Sequence, residues 1–196
     1  AAREQLADMP ECAAFFSTDG DSEQAAIWQE ETDYGPVWCR ARLDWRQGAR
    51  IVDYKTVGRS AHPDALARHV VDQGYEFQAA WYIRGVETLV PDLAGRVELL
   101  FVFQEIEEPY ALTVARLDAE GLQVGRGKAE TAMALWGRCL ATNIWPSYPR
   151  DIATLTYPTW ALTTYADRDA RDHFIRQDGG DPFLLLRSWS PMKGRA

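Results

Sequence analysis

Val37-Trp38-Cys39-Arg40-Ala41-Arg42-Leu43-Asp44-Trp45, followed after Gln47-Gly48 by Ile51-Val52-Asp53-Tyr54-Lys55-Thr56, carries the strongest structural pattern in the chain. In the first run Val37, Cys39, Ala41 and Leu43 alternate with Trp38, Arg40, Arg42 and Asp44, the two-residue period of a strand with one buried face. Gln47-Gly48 supplies a turn, so the second run returns as a hairpin partner with Ile51, Asp53 and Lys55 on one face and Val52, Tyr54 and Thr56 on the other.

Outward from this hairpin the period changes. Upstream, Leu6 to Phe16 reads as a short helix, and Ser22 to Thr32 leads into a turn at Asp33-Tyr34-Gly35-Pro36. Downstream, Pro63 to Asp72 and Tyr75 to Leu89 carry apolar residues at helical spacing, with Gly74 as the break between them. Val97 to Gln104 and Tyr110 to Leu117 read as two more strands across Glu107-Glu108-Pro109. A long helix from Asp118 to Ala141, its period weakened by Gly121, Gly125 and Gly127, precedes a Pro- and aromatic-rich coil and a helix near Trp160 to Arg176. Without repeats, linkers or low-complexity runs, residues 1–196 read as a single α/β domain of order β-β-β-α-α-β-β-α, a mixed sheet flanked by helices.

Composition narrows the class. Of 196 residues, 46% are hydrophobic and 26% charged, as in ordinary globular proteins, and no apolar run approaches the roughly 20 residues of a membrane span. Cys12, Cys39 and Cys139 form no C-x-x-C pair, which excludes a disulfide framework and a four-cysteine metal site and points to the reducing cytoplasm. Ala1-Ala2-Arg3-Glu4-Gln5 has neither an initiator Met nor a signal-peptide apolar region and reads as the start of a fragment lacking an N-terminal segment. A net charge of −8 argues against a general polyanion-binding surface, but the charge is uneven. Residues 1–36 hold one basic residue against nine acidic, whereas 40–68 hold seven basic against three acidic, a local balance of +4 that suits one anionic substrate.

The chemistry concentrates there. Asp44 and Asp53, on neighbouring hairpin strands, can converge on a divalent cation through hard oxygen ligands. Lys55 shares the Asp53 face, where an ammonium can orient or deprotonate water and offset phosphate charge. Alone, a D-x-K more often marks a strand end and an ordinary cross-strand pair. Gln78 and Tyr82, four residues apart on one helix face, add a Q-x-x-x-Y pair. Arg40 and Arg42 can bind phosphate, and Trp38 and Trp45 can stack on a frayed base. His62, His69 and His173 are too scattered for a zinc set.

The order R-L-D, hairpin, D-Y-K-T, helix, Q-A-A-W-Y resembles the RecB-like branch of the PD-(D/E)XK nucleases. The stretches V-W-C-R-A-R-L-D-W, I-V-D-Y-K-T, G-Y-E-F-Q-A-A-W-Y, W-P-S-Y and Y-P-T-W are most similar to RecE-type phage recombination exonucleases, over about Glu31 to Trp160. The resemblance implies Mg²⁺-dependent hydrolysis, with Mn²⁺ as an alternative, at double-stranded DNA ends. It implies Asp44, Asp53 and the Tyr54 carbonyl as metal ligands, Lys55 as the catalytic lysine, Gln78 and Tyr82 as organisers of the site, and Glu31 as a further acid. It also implies a toroidal homotetramer and a single-strand annealing protein as partner. The family's usual metal-binding His has no counterpart before Asp44, so either it belongs to a preceding segment or the metal site is weakened. A catalytically silent DNA-end binding module, and a carboxylate-pair hydrolase of another substrate, are the competing readings.

Overall fold

The computed structural model describes residues 2–9, 12 and 19–177. The chain divides into two compact units, residues 1–145 and 146–196. The first contains a five-stranded sheet of β1 (Asp21–Thr32), β2 (Gly35–Gln47), β3 (Arg50–Val57), β4 (Glu98–Glu105) and β5 (Leu112–Ala115), side by side in that order. Helix α1 (Ala2–Asp8) precedes it, α2 (Pro63–Gln73) and α3 (Tyr75–Leu89) connect β3 to β4, and α4 (Ala119–Thr142) follows β5. In the second unit, coil leads into α5 (Thr159–Gln177), whose first turn is closed by the Ala161 and Leu162 N–H groups donating to the Pro158 carbonyl.

Local chemistry sets most of these boundaries. Gly48, at φ +57, makes the turn of the β2–β3 hairpin. Gly74 ends α2 in the left-handed conformation, and the Asp118 carboxylate caps α4 by accepting the Gly121 N–H at 2.8 Å. The first helix starts earlier than the apolar pattern suggests, and most of the expected Leu6–Phe16 segment lies outside the described residues.

β3 and β4 pair in parallel, the other neighbours antiparallel, so the sheet is mixed. The β2–β3 ladder is short: it holds Gln47–Arg50, Arg46–Ile51 and Trp45–Val52 and then stops. The next pair in register is Asp44 with Asp53, and there the strands part, with the Tyr54 N–H donating instead to Asp44 Oδ2 at 3.0 Å. On the other side of β2 the β1 ladder skips the Glu23–Asp44 position, and Glu23 takes φ +54.

β2 also turns about its axis here. Leu43 packs with Ile51, Phe101 and Phe103 on one sheet face, whereas Trp45 packs with Val52 and Val102 on the other. Regular alternation through Asp44, which would keep residues 43 and 45 on one face, is therefore corrected. Trp45, 5% exposed, is a core residue and not a stacking surface for DNA.

Helices α2, α3 and α4 cover the Leu43 face, and α1 covers part of the Trp45 face through Leu6. Helix α3 is bolted to β1 by Arg84, which donates through Nε and Nη2 to the two Glu30 oxygens at 2.6 and 2.7 Å. It crosses α4 so closely that a Cβ on Gly125 would stand 2.0 Å from the Glu76 carbonyl oxygen. Beside this crossing the buried Glu76 carboxylate pairs with Lys128. On the opposite face the buried Gln104 accepts the Tyr54 hydroxyl at 2.5 Å and donates to the Ala2 carbonyl at 2.9 Å and the Tyr110 carbonyl at 3.3 Å. One amide thus ties β3, β4, α1 and the approach to β5 together.

The glycines that blur the period of α4 have opposite roles, which urea melts distinguish. Gly125→Ala should cost about 1–3 kcal/mol, because the obstacle is backbone and cannot rotate away. Gly127→Ala, where nothing lies within 4 Å of the added methyl, should stabilise by up to about 1 kcal/mol through helix propensity.

Candidate active site

Where β2 and β3 part, four side chains from three elements meet. Asp53 is 1% exposed on the α3 side of β3. Its Oδ2 accepts the Gln78 amide N–H at 2.6 Å, and its Oδ1 faces the Lys55 ammonium in an ion pair without an aligned hydrogen bond. Asp44 stands in register beyond the last ladder pair, with Oδ2 held by the Tyr54 N–H. Each carboxylate thus commits one oxygen to being oriented and keeps the other free of hydrogen bonds to described residues.

Burial is the largest influence on Asp53 and pushes its carboxyl above the usual aspartate range. Lys55 and the Gln78 amide oppose that rise, while the nearby Asp44 charge adds to it. A charge so fully withdrawn from water persists only with a partner, which Lys55 supplies. Lys55 is positioned in turn by an aromatic ring, its ammonium lying 5.0 Å from the Tyr75 centroid. Tyr75 packs against Phe101, Phe103 and the edge of His69. The sequence reading missed Tyr75, although a signal was present: counting back from Tyr82 and Gln78 at helical spacing, the same face of α3 begins at Tyr75.

The structure gathers Asp44, Asp53, Lys55 and Gln78, with Tyr82 one turn beyond Gln78 on the same helix, at the margin of the core. Tyr54 gives its N–H to Asp44 and turns its ring to the opposite sheet face. Glu31 does not join them. It is exposed on β1 opposite Pro36, eight residues along β2 from Asp44, about 26 Å at strand rise. Neither Arg40 nor Arg42 has a polar contact with the carboxylates: Arg42 pairs with Glu23 at 3.0 Å on the surface, and the exposed Arg40 offers only its carbonyl, to Trp81.

The donor set suits a hard divalent cation of the Mg²⁺ type. Asp44 and Asp53 each keep one oxygen outside hydrogen bonds to described residues, that of Asp53 facing Lys55, and a cation that retains several waters and shares substrate phosphate oxygens needs no more protein ligands. No cluster of three or more His, Cys, Asp or Glu that could hold a metal exists among the described residues, so a closed zinc-like site is absent from them. All three cysteines are buried.

Residues 3–156 match the family model described as a PDDEXK-like domain of unknown function (DUF3799). The chain belongs to this family. Its mixed sheet flanked by helices is the PD-(D/E)XK nuclease fold, and that superfamily generally uses divalent metals. A crystal structure described as a "Putative exonuclease" from Eubacterium rectale is similar at TM-score 0.58 and 13% identity, over 83% of this chain and 63% of that one. The DUF3799 chain thus spans less than two thirds of that neighbour, and the likeness establishes the fold alone. The structure of SSO0001 aligns at TM-score 0.37 and 14% identity, over 67% of this chain and 57% of that one. No curated protein matches the chain. No helix among the described residues is long and apolar enough to cross a membrane.

The elevated Asp53 carboxyl has a thermodynamic signature. The folded state holds this proton more tightly than the unfolded state, so Asp53 favours folding most below its ordinary pKa and progressively less as pH rises through the raised value. Asp53→Asn removes that dependence. Relative to wild type, the variant's Tm should therefore rise from acid to neutral pH, and a pH-independent difference in thermal melts would refute the assignment.

Proposed function

We propose that this DUF3799 domain is a Mg²⁺-dependent exonuclease, with Mn²⁺ as a substitute, that degrades linear double-stranded DNA from its ends and leaves single-stranded tails for homologous recombination, as RecE-type enzymes do. The observation that carries this reading is the pair of carboxylates at the parting of β2 and β3, each oriented through one oxygen, with Lys55 against the buried member.

When bound, the metal supplies Lewis-acid stabilisation of phosphate charge and a more acidic water. Asp44 and Asp53 would hold it, with the Tyr54 carbonyl as a further ligand. Gln78 fixes the plane of the Asp53 carboxylate, so ligand geometry is set before substrate arrives. Lys55, the counter-charge of Asp53 and over the Tyr75 ring, would orient the attacking water or face the non-bridging phosphate oxygens. Tyr82, whose hydroxyl has no partner among the described residues, extends the Gln78 face towards DNA.

The competing reading is a catalytically silent DNA-end binding module. It is favoured by the absence, among the described residues, of a third acidic or histidine side chain within reach of a metal. End-labelled linear and closed circular duplexes, incubated with Mg²⁺, Mn²⁺ or chelator, separate the two. The exonuclease reading expects metal-dependent release of nucleotides from linear DNA alone. Asp53→Ala, Lys55→Ala and Asp44→Asn, the last preserving an acceptor for Tyr54, should each lower the rate at least about 100-fold while circular dichroism remains native. Linear DNA that is bound but never cleaved supports the silent module.

Assembly and partners extend the proposal. A protein of net charge −8 that acts processively on a polyanion benefits from enclosing it, so a toroidal tetramer with the motif-bearing faces inward is the proposed form, and a single-strand annealing protein its partner. Light scattering at micromolar concentration should return a tetramer, and a monomer would discard the ring while leaving the chemistry.

A further inference from the structure

Helix α3 carries a second stripe beside the one that reaches Asp53. Phe77 and Trp81 precede Gln78 and Tyr82 by one residue each, so their row lies about 100° around the helix. That row opens on a surface groove of about 250 Å³ between β2, α3 and α4, lined by Trp38, Arg40, Phe77, Trp81, Met133 and Trp136. Phe77 and Trp81 lie nearly parallel, with 13° between planes and centroids 6.0 Å apart. Trp38 is 70% exposed and Trp136 51%, an unusual outlay of indole surface to water. The Trp81 N–H fixes its ring by donating to the Arg40 carbonyl at 3.1 Å.

Charge indicates the occupant. Among the four arginines of the β2–β3 hairpin, Arg42 is held by Glu23, Arg46 by Gln24 and the Gly48 carbonyl, and Arg50 by Glu98. Arg40, on the groove, has a guanidinium without a partner among the described residues. Parallel and exposed aromatic rings beside an unneutralised cation, with no carboxylate lining the groove, suit a flat heterocycle linked to phosphate. Duplex bases are occupied in their own stack and cannot enter, so the ligand must be unpaired.

We propose that the groove of Trp38, Phe77, Trp81 and Trp136 is a stacking site for unpaired bases of single-stranded DNA, with Arg40 as its phosphate contact. The proposal deepens the exonuclease reading and rests on it for the nature of the substrate. The site would receive the strand separated from the one engaged at Asp53, and it accepts any sequence because every base has a π-face.

Fluorescence anisotropy of a short labelled oligothymidylate in chelator, which prevents cleavage, tests it on the whole chain. Trp38→Ala and Trp136→Ala should each weaken binding about tenfold, and Trp38→Phe should restore most of the loss. An abasic oligomer of equal length should bind more weakly and not distinguish variant from wild type. Arg40→Gln should lower the slope of log affinity against log salt by about 0.7. Unchanged affinity in both Ala variants, or equal binding of the abasic oligomer to wild type, overturns the site. So does a Trp38→Ala variant that binds oligothymidylate normally but loses self-association, which would make the groove a contact between copies. Because binding is read without metal, base-dependent binding by a wild type that never cleaves with Mg²⁺ would leave this site standing and remove only the exonuclease reading.

Discussion

The parting of two hydrogen-bonded strands governs the molecule. β2 serves two masters, pairing with β1 along nearly its whole length and with β3 only beside the turn. A ladder continued past Trp45–Val52 would bring Asp44 and Asp53 face to face inside the sheet, two like charges in a low-dielectric setting. The strands separate instead, and the freed Tyr54 N–H takes the Asp44 carboxylate as its acceptor. The gap admits Gln78 to Asp53, and beyond it the Trp81 indole takes the Arg40 carbonyl. Helix α3 therefore completes the hydrogen bonding of an interrupted sheet, and its height over the gap is set by two close approaches: Gly125 to the Glu76 carbonyl, and Gly85 to the Trp28 ring.

Stability is spent at this point. A buried Asp53 needs Lys55, and a half-buried Lys55 needs both Asp53 and the Tyr75 ring. Removing any member leaves another charge in poor company, so the constellation behaves as one unit. An apolar replacement of the whole set would pack at least as well, which is why its presence in a core strand points to chemistry.

Much of this was legible in the sequence because it follows from repeating periods. The alternation from Val37 to Leu43 and the helical spacing from Tyr75 to Leu89 are properties of single elements, and the structure contains both. Asp53 and Lys55 could be associated from their shared strand face, and Gln78 joined them only through the resemblance of the motif order to the PD-(D/E)XK nucleases. The twist at Asp44 was not legible, because it depends on Glu23 in a neighbouring strand adopting a left-handed backbone, for which Glu carries no local signal. Glu31 illustrates a related difficulty: nearness to the motif in sequence is undone by an antiparallel register that carries it to the far end of the hairpin. The charge asymmetry also softens in space. β1 lies against β2, so acidic Glu23 neutralises Arg42, and Glu30 is taken by Arg84.

Gln104 gives β3 the mechanics of a beam clamped from behind. The Tyr54 side chain is anchored through Gln104 to α1 and the β5 approach, while its backbone N–H, on the other side of the same residue, holds Asp44. A charge arriving at or leaving the carboxylates therefore meets a strand with little freedom to recoil. The response falls to the side chains of Lys55 and Gln78, whose rotamers interconvert on far shorter timescales than sheet rearrangement. Binding and release at such a site would involve little movement of the main chain.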